Sequence, residues 1–243
     1  MKHFKFLTAI CFAVGMSFSL VSCNSGDEKK AEEKPADTTA VKPAEPAAPA
    51  KPANLMTVIS KVANYSKWLP EYESHDSLRT ANGLHNFVIA RGIEKDSNMV
   101  MVAMHMDDTA KAKAFAASPD LKARMKKAGV VGPPTISFLD MQMMDETPNT
   151  TSTRLMVTHK VKDWDAWKKS FDSHKQARMD AGLIDRALGY EAGDNHKVTI
   201  VFIVTDMKKA EDFSKSEELK KKMEEAGVEG PPHFWYYTIS KKY

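Results

Sequence analysis

Two stretches, set one above the other, decide the fold. Asn64–Leu84 reads NYSKWLPEYESHDSLRTANGL, and Asp163–Leu183 reads DWDAWKKSFDSHKQARMDAGL. At an offset of 99 positions Trp68 meets Trp167, and Ser74-His75 meets Ser173-His174. Arg79 meets Arg178, and Gly83-Leu84 meets Gly182-Leu183. Upstream, Lys61-Val62 lands on Lys160-Val161. Beyond the middle loop the offset becomes 98, so the second copy is one residue shorter there. Phe115 then matches Phe213, and Leu121-Lys122 matches Leu219-Lys220. Met125 matches Met223, and Ala128-Gly129-Val130 matches Ala226-Gly227-Val228. Gly132-Pro133-Pro134 matches Gly230-Pro231-Pro232. Agreement in one register with a single indel marks a duplicated structural unit. The copies span residues 55–141 and 154–240.

Each copy reads as β-α-β-β-α-β. Met56–Val62 and Leu155–Val161 are short, β-rich strands. The spacing of Trp164, Trp167, Phe171, His174 and Arg178 predicts one helix. Gly83 and Gly182 stand where that helix would end, as residues that accept a positive φ. The middle strands are expected over Phe87–Ile93 and Met99–Met106, and over Ala187–Glu191 and Val198–Val204. Ser118-Pro119-Asp120 is an N-cap, an N1 proline and an acidic first turn. Ser216-Glu217-Glu218 repeats the device without proline. The Gly-Pro-Pro then predicts an extended entry into last strands at Ile136–Leu139 and Phe234–Thr238.

This order is that of an α+β, ferredoxin-like unit in tandem. The run Trp167…Phe171-Asp172…His174…Arg178…Gly182 resembles small cyclase-like proteins. So does Ser118-Pro119-Asp120-Leu121-Lys122…Met125…Ala128-Gly129-Val130…Gly132-Pro133-Pro134. These belong to the dimeric α+β barrel group, which includes the antibiotic-biosynthesis-monooxygenase domains. The resemblance implies that the two copies close one pseudo-dimeric barrel within a single chain, leaving a monomer. It also implies a ligand cleft between each sheet and its helices. The group spans oxygenases, haem-degrading enzymes, cyclases, isomerases and members of no known activity.

The N-terminus has the three parts of an export signal. Lys2, His3 and Lys5 are basic, and Phe6–Leu20 is mostly apolar. Leu20-Val21-Ser22-Cys23 resembles a lipobox, which implies a signal over residues 1–22, cleavage before Cys23 and lipidation of its sulfur. The alternatives are an ordinary signal peptide with a cysteine near its end, or an uncleaved anchor. Residues 23–54 read as a lipidated cysteine and a tether of Lys, Glu, Ala and Pro, too poor in apolar residues to fold. In polyproline II form it would hold the folded part up to roughly 90 Å from the bilayer. The expected location is the bacterial cell envelope, with the outer membrane favoured over the inner. The expected partners are membrane lipid through acylated Cys23 and a small-molecule ligand.

The chain has two cysteines, Cys11 and Cys23. Cleavage would remove the first and lipidate the second, leaving no thiol for catalysis or metal ligation. The formal charge is +3 with both signs interspersed. No basic stripe with interleaved aromatics is present, so nucleic-acid binding is not expected. There is no GxGxxG, Walker or nucleophile-elbow pattern, and no cofactor is expected.

His75 with Arg79, and His174 with Arg178, stand four residues apart on one helix face. Trp68 and Trp167 lie two turns earlier. Tyr72 neighbours His75, and Phe171 takes its place in the second copy. These eight residues are the candidate ligand-binding set: a titratable imidazole, a fixed cation and an aromatic wall. The alternative is structural, with Arg and His satisfying buried carbonyls or a carboxylate and Trp in the core. The unrepeated His85, His105, His159, His196 and His233 read as surface or ordinary core residues. Met99, Met101 and His105 share one strand face and are weak Cu(I) candidates, set against a reading as flexible core filler.

Three functions fit. The first is an envelope lipoprotein that binds a small aromatic or anionic molecule in its clefts. The second is a cofactor-independent oxygenase, cyclase or isomerase. The third is a structural envelope protein.

Overall fold

The computed structural model describes residues 54–243. The expected signal, Cys23 and nearly all of the expected tether lie outside the described residues. The first unit runs β1 (Leu55–Val62), α1 (Tyr65–Glu73), α2 (Asp76–Ala81), β2 (Leu84–Gly92), β3 (Met99–Met106), α3 (Thr109–Ala116), α4 (Pro119–Lys127) and β4 (Val130–Met144). The second repeats it as β5 (Thr153–Val161), α5 (Trp164–Ser173), α6 (Lys175–Asp180), β6 (Leu183–Glu191), β7 (Asp194–Val204), α7 (Met207–Ser214), α8 (Glu217–Glu225) and β8 (Val228–Lys242).

Eight antiparallel strands close into one barrel, in the order β1-β3-β2-β8-β5-β7-β6-β4. The closing strands were expected to be short, but each runs for 15 residues. The first part of β4 pairs with β1 of its own unit, and Leu139–Met144 pairs with β6 of the other. Likewise β8 pairs with β5 and then, from Tyr237 onward, with β2. The Gly-Pro-Pro lies inside these strands, at register shifts opposite Ile59/Lys61 and Thr158/Lys160. A bulge is where a strand tolerates residues that donate no ladder hydrogen bond.

The expected long helix is broken in both copies. Residues 74–75 separate α1 from α2, and His174 separates α5 from α6 with φ −99° and ψ 16°. A buried arginine takes the carbonyl that the break exposes: Arg79 Nη1 donates to Tyr72 O at 2.7 Å, and Arg178 Nη1 to Phe171 O at 2.6 Å. The helices are short and individually capped. Asn64, Asp108, Ser118, Asp163, Asp206 and Ser216 each accept from the backbone N–H three residues on, satisfying a donor that a helix leaves unpaired. Gly182 ends α6 with φ +72°, and a Cβ there would lie 2.8 Å from Asp206 Cβ.

Alternation along the strands gives three apolar layers. Met56, Val58, Trp68, Leu84, Val102 and Phe115 fill the space under the first unit's helices. Leu155, Val157, Trp167, Leu188, Ile200 and Phe202 do so in the second. The opposite strand faces meet in the lumen, around Met101, Met156, Trp235 and Tyr237 at one level and Leu55, Leu139 and Met141 at another.

Candidate functional site

Between each sheet and its helices lies a narrow cleft. The first unit's, of about 80 Å³, is lined by Trp68, Tyr72, His75 and Arg79 among others. The second unit's, of about 90 Å³, is lined by Trp167, Phe171, His174 and Arg178. The eight residues singled out in the sequence therefore converge in two equivalent places.

The aromatic and cationic members form a column in each unit. Trp167 stacks on Phe171 at 5.2 Å, and the Arg178 guanidinium lies over the Phe171 ring at 3.6 Å from its centroid. Trp68, Tyr72 and Arg79 repeat the arrangement at 5.1 and 3.8 Å. Arg178 is further held by Asp185, Nε to Oδ1 at 2.8 Å and Nη2 to Oδ2 at 2.7 Å. This two-point geometry matches a carboxylate. Arg79 instead uses Nε toward Asn86 Oδ1 at 3.0 Å and Nη2 toward Asp76 at 3.3 Å. The Tyr72 hydroxyl also donates to Asn86 Oδ1, at 2.6 Å, and burial raises its pKa. Both arginines thus order the helix break and the column of rings. His75 and His174, at the breaks, are half-buried along the cleft walls.

One residue differs in kind. His159 on β5 is 8% exposed, lines the second cleft and lies 5.3 Å from the Trp167 ring. Neither ring nitrogen has a hydrogen-bond partner. Burial alone pushes its pKa down to about 4, so the imidazole is neutral. The first unit has Ser60 at this position. Reading the unrepeated histidines as surface or ordinary core passed over it. The available signal was strand alternation: Leu155, Val157, His159 and Val161 share the helix-facing side.

The lumen opens at one end into a space of about 780 Å³, whose walls mix hydroxyls of Thr57, Ser137 and Thr158 with Lys160, Lys197, Glu229 and Trp235. Met101 faces the lumen core, whereas Met104 and Met106 pack under the helices. His105 lies four residues beyond Met101, roughly 13 Å along the strand, and its ring packs on Phe87 at 4.7 Å. Among the described residues no group of three or more His, Cys, Asp or Glu could hold a metal ion. None of their helices is long and apolar enough to cross a membrane.

Solved structures with this architecture are recognisable across most of the chain. A candidate monooxygenase from Fusobacterium nucleatum superposes with a TM-score of 0.50, at 12% identity, over 78% of this chain and 93% of its own. One from Lactobacillus acidophilus gives 0.50 at 10% identity, over 78% and 95%. An anthrone oxidase-like protein gives 0.52 at 11% identity, over 79% and 92%. The chain has a ferredoxin-like α+β fold. No protein-family model matches the sequence, and no curated protein is significantly similar to it. At these identities the likeness is one of architecture, so chemistry has to be argued from the side chains.

Proposed function

We propose that the chain is a lipid-anchored envelope protein that holds a small planar molecule, bearing a phenolic or enolic hydroxyl, in the cleft of its second unit. His159 carries the reading. A buried polar group without a partner loses the hydrogen bonds that water would give it. A ligand hydroxyl could donate to one imidazole nitrogen while the other donates to a ligand carbonyl or ether. Trp167, Phe171 and Phe202 offer the flat apolar walls. The anchoring rests on Leu20-Val21-Ser22-Cys23 behind an apolar stretch.

The test is fluorescence titration of the full chain in a nonionic detergent, with phenol and catechol as probes and toluene as the control. Saturable quenching by the hydroxylated probes is expected, weakened about tenfold or more in His159→Phe, the cost of one buried hydrogen bond. Equal binding of phenol and toluene, or unchanged binding in His159→Phe, would sink the proposal and favour a structural envelope protein.

A second reading places cofactor-independent oxygenase, cyclase or isomerase chemistry in the same cleft. It draws on the neighbours described as candidate monooxygenases and as anthrone oxidase-like. A general base works best with a pKa near the working pH. An imidazole held at about 4 is a weak one, which ranks binding first. Oxygen uptake with anthrone, faster than without protein and abolished in His159→Phe, would reverse that ranking.

A further inference from the structure

A further cavity, of about 190 Å³, lies in the barrel lumen, across the sheet from the clefts. At three pairs of equivalent repeat positions its wall differs between the units. The second unit contributes Arg154, Arg186 and Tyr237, and the first contributes Leu55, Phe87 and Leu139 at the equivalent repeat positions. The strand registers bear out the equivalence. Arg154 is the cross-strand partner of Tyr237 as Leu55 is of Leu139. Phe87 and Arg186 each sit at the register shift of their strand pair. The repeat has thus placed three polar groups opposite three apolar ones.

On the polar side Arg154 has no carboxylate of its own among the described residues. Arg154 is 3% exposed. Its Nη1 donates to the carbonyls of Thr151 and Thr153 at 2.7 and 2.9 Å, and its Nη2 to Asn149 Oδ1 at 3.0 Å. Among the described residues no carboxylate comes within ion-pair distance of it. Arg186 donates to Thr147 O at 2.8 Å and forms a loose ion pair with Asp145 at 3.8 Å, a carboxylate that also lines the cavity, accepts from the Thr147 N–H and is half exposed. Burial and the neighbouring Arg186 charge both lower the Arg154 pKa. Burial raises that of Tyr237, with both arginines acting against it. Exposed Glu146 and Lys242 also line the cavity and oppose each other in sign. A buried cation without a counter-charge is costly, and an anion between two guanidiniums relieves it.

We propose that this cavity binds a small organic carboxylate. The head lies between Arg154, Arg186 and the Tyr237 hydroxyl, and the apolar body lies against Leu55, Phe87 and Leu139. Guanidinium forks fit a planar carboxylate. At roughly 30 Å³ per water the space holds about six waters, which suits an acid of benzoate or hexanoate size.

Calorimetric titration of the full chain in a nonionic maltoside tests this with four probes: benzoate, hexanoate, acetate and benzyl alcohol. Benzoate and hexanoate are expected to bind at least tenfold tighter than acetate, which lacks the body, and benzyl alcohol, which lacks the charge. Arg154→Gln should remove the preference for benzoate. Because Arg154 also ties down three backbone and side-chain acceptors, Arg186→Gln is the second variant, and it should weaken benzoate at least tenfold with cooperative unfolding retained. His159→Phe should leave benzoate binding unchanged. Acetate or benzyl alcohol matching benzoate, wild-type affinity in Arg186→Gln, or loss in His159→Phe would each overturn the lumen site.

Discussion

The His159 imidazole stands 5.3 Å from the Trp167 ring, tilted 59° to it, with no hydrogen bond at either nitrogen. Its folded pKa of about 4 lies below the ordinary histidine value of 6.5. Between those values the unfolded chain binds a proton that the folded chain refuses, so acid favours unfolding. This contribution is full above pH 6.5 and is lost as pH falls toward 4. The difference amounts to about 3 kcal/mol at most. Urea unfolding at pH 7 and pH 4.5 should show an acid loss smaller by about 2 kcal/mol in His159→Phe than in the wild type. Equal acid losses would place the ring in contact with water.

Arg178 and Arg79 occupy equivalent positions but leave different partners behind when removed. Arg178→Ala strands Asp185, a carboxylate with 15% side-chain exposure. The expected cost is about 3–5 kcal/mol in thermal or denaturant unfolding, as for one half of a buried ion pair. Arg79→Ala strands the neutral Asn86 and an exposed Asp76, and should cost less. The order of the two variants is the check.

Gly182 and Gly193 both have positive φ, +72° and +92°. An added Cβ at Gly182 would meet Asp206 Cβ at 2.8 Å and its backbone N at 2.9 Å, whereas at Gly193 it meets nothing within 4 Å. Gly193→Ala should therefore cost about 1 kcal/mol from backbone strain, and Gly182→Ala clearly more. Melting temperatures of the two variants decide it.

If the proposed lipidation holds, Cys23→Ser should move the protein from the membrane fraction to the soluble fraction on cell fractionation, since acyl chains would supply the anchor. Unchanged membrane association would refute lipidation at this residue.

Much of this molecule was legible in its residues. The offset matches of Trp68 with Trp167 and Arg79 with Arg178 revealed the duplicated unit, and Ser118, Ser216 and Gly182 marked helix ends by local chemistry that needs no distant partner. The tandem ferredoxin-like order followed from strand and helix periodicities. Helical spacing placed the aromatic and arginine residues on one face, and the family resemblance implied the cleft beside it, although neither showed the break at His75 and His174. That break depends on an arginine reaching back to a carbonyl seven residues earlier, a tertiary geometry that periodicity does not encode.

The remainder was decided only by the closed barrel. Whether His159 is an ordinary core residue or an unpaired imidazole depends on which groups from other strands and helices come near it. The same holds for Arg154, whose burial follows from the pairing of β5 between β7 and β8. The extra length of β4 and β8 makes sense only against β6 and β2 of the opposite unit. Sequence alone thus determined the repeat, the local elements and their inward faces, because these rest on contacts within a few residues. Tertiary structure alone decided which polar groups were left without partners, because satisfaction of a buried donor or charge is set by neighbours that are distant in the chain.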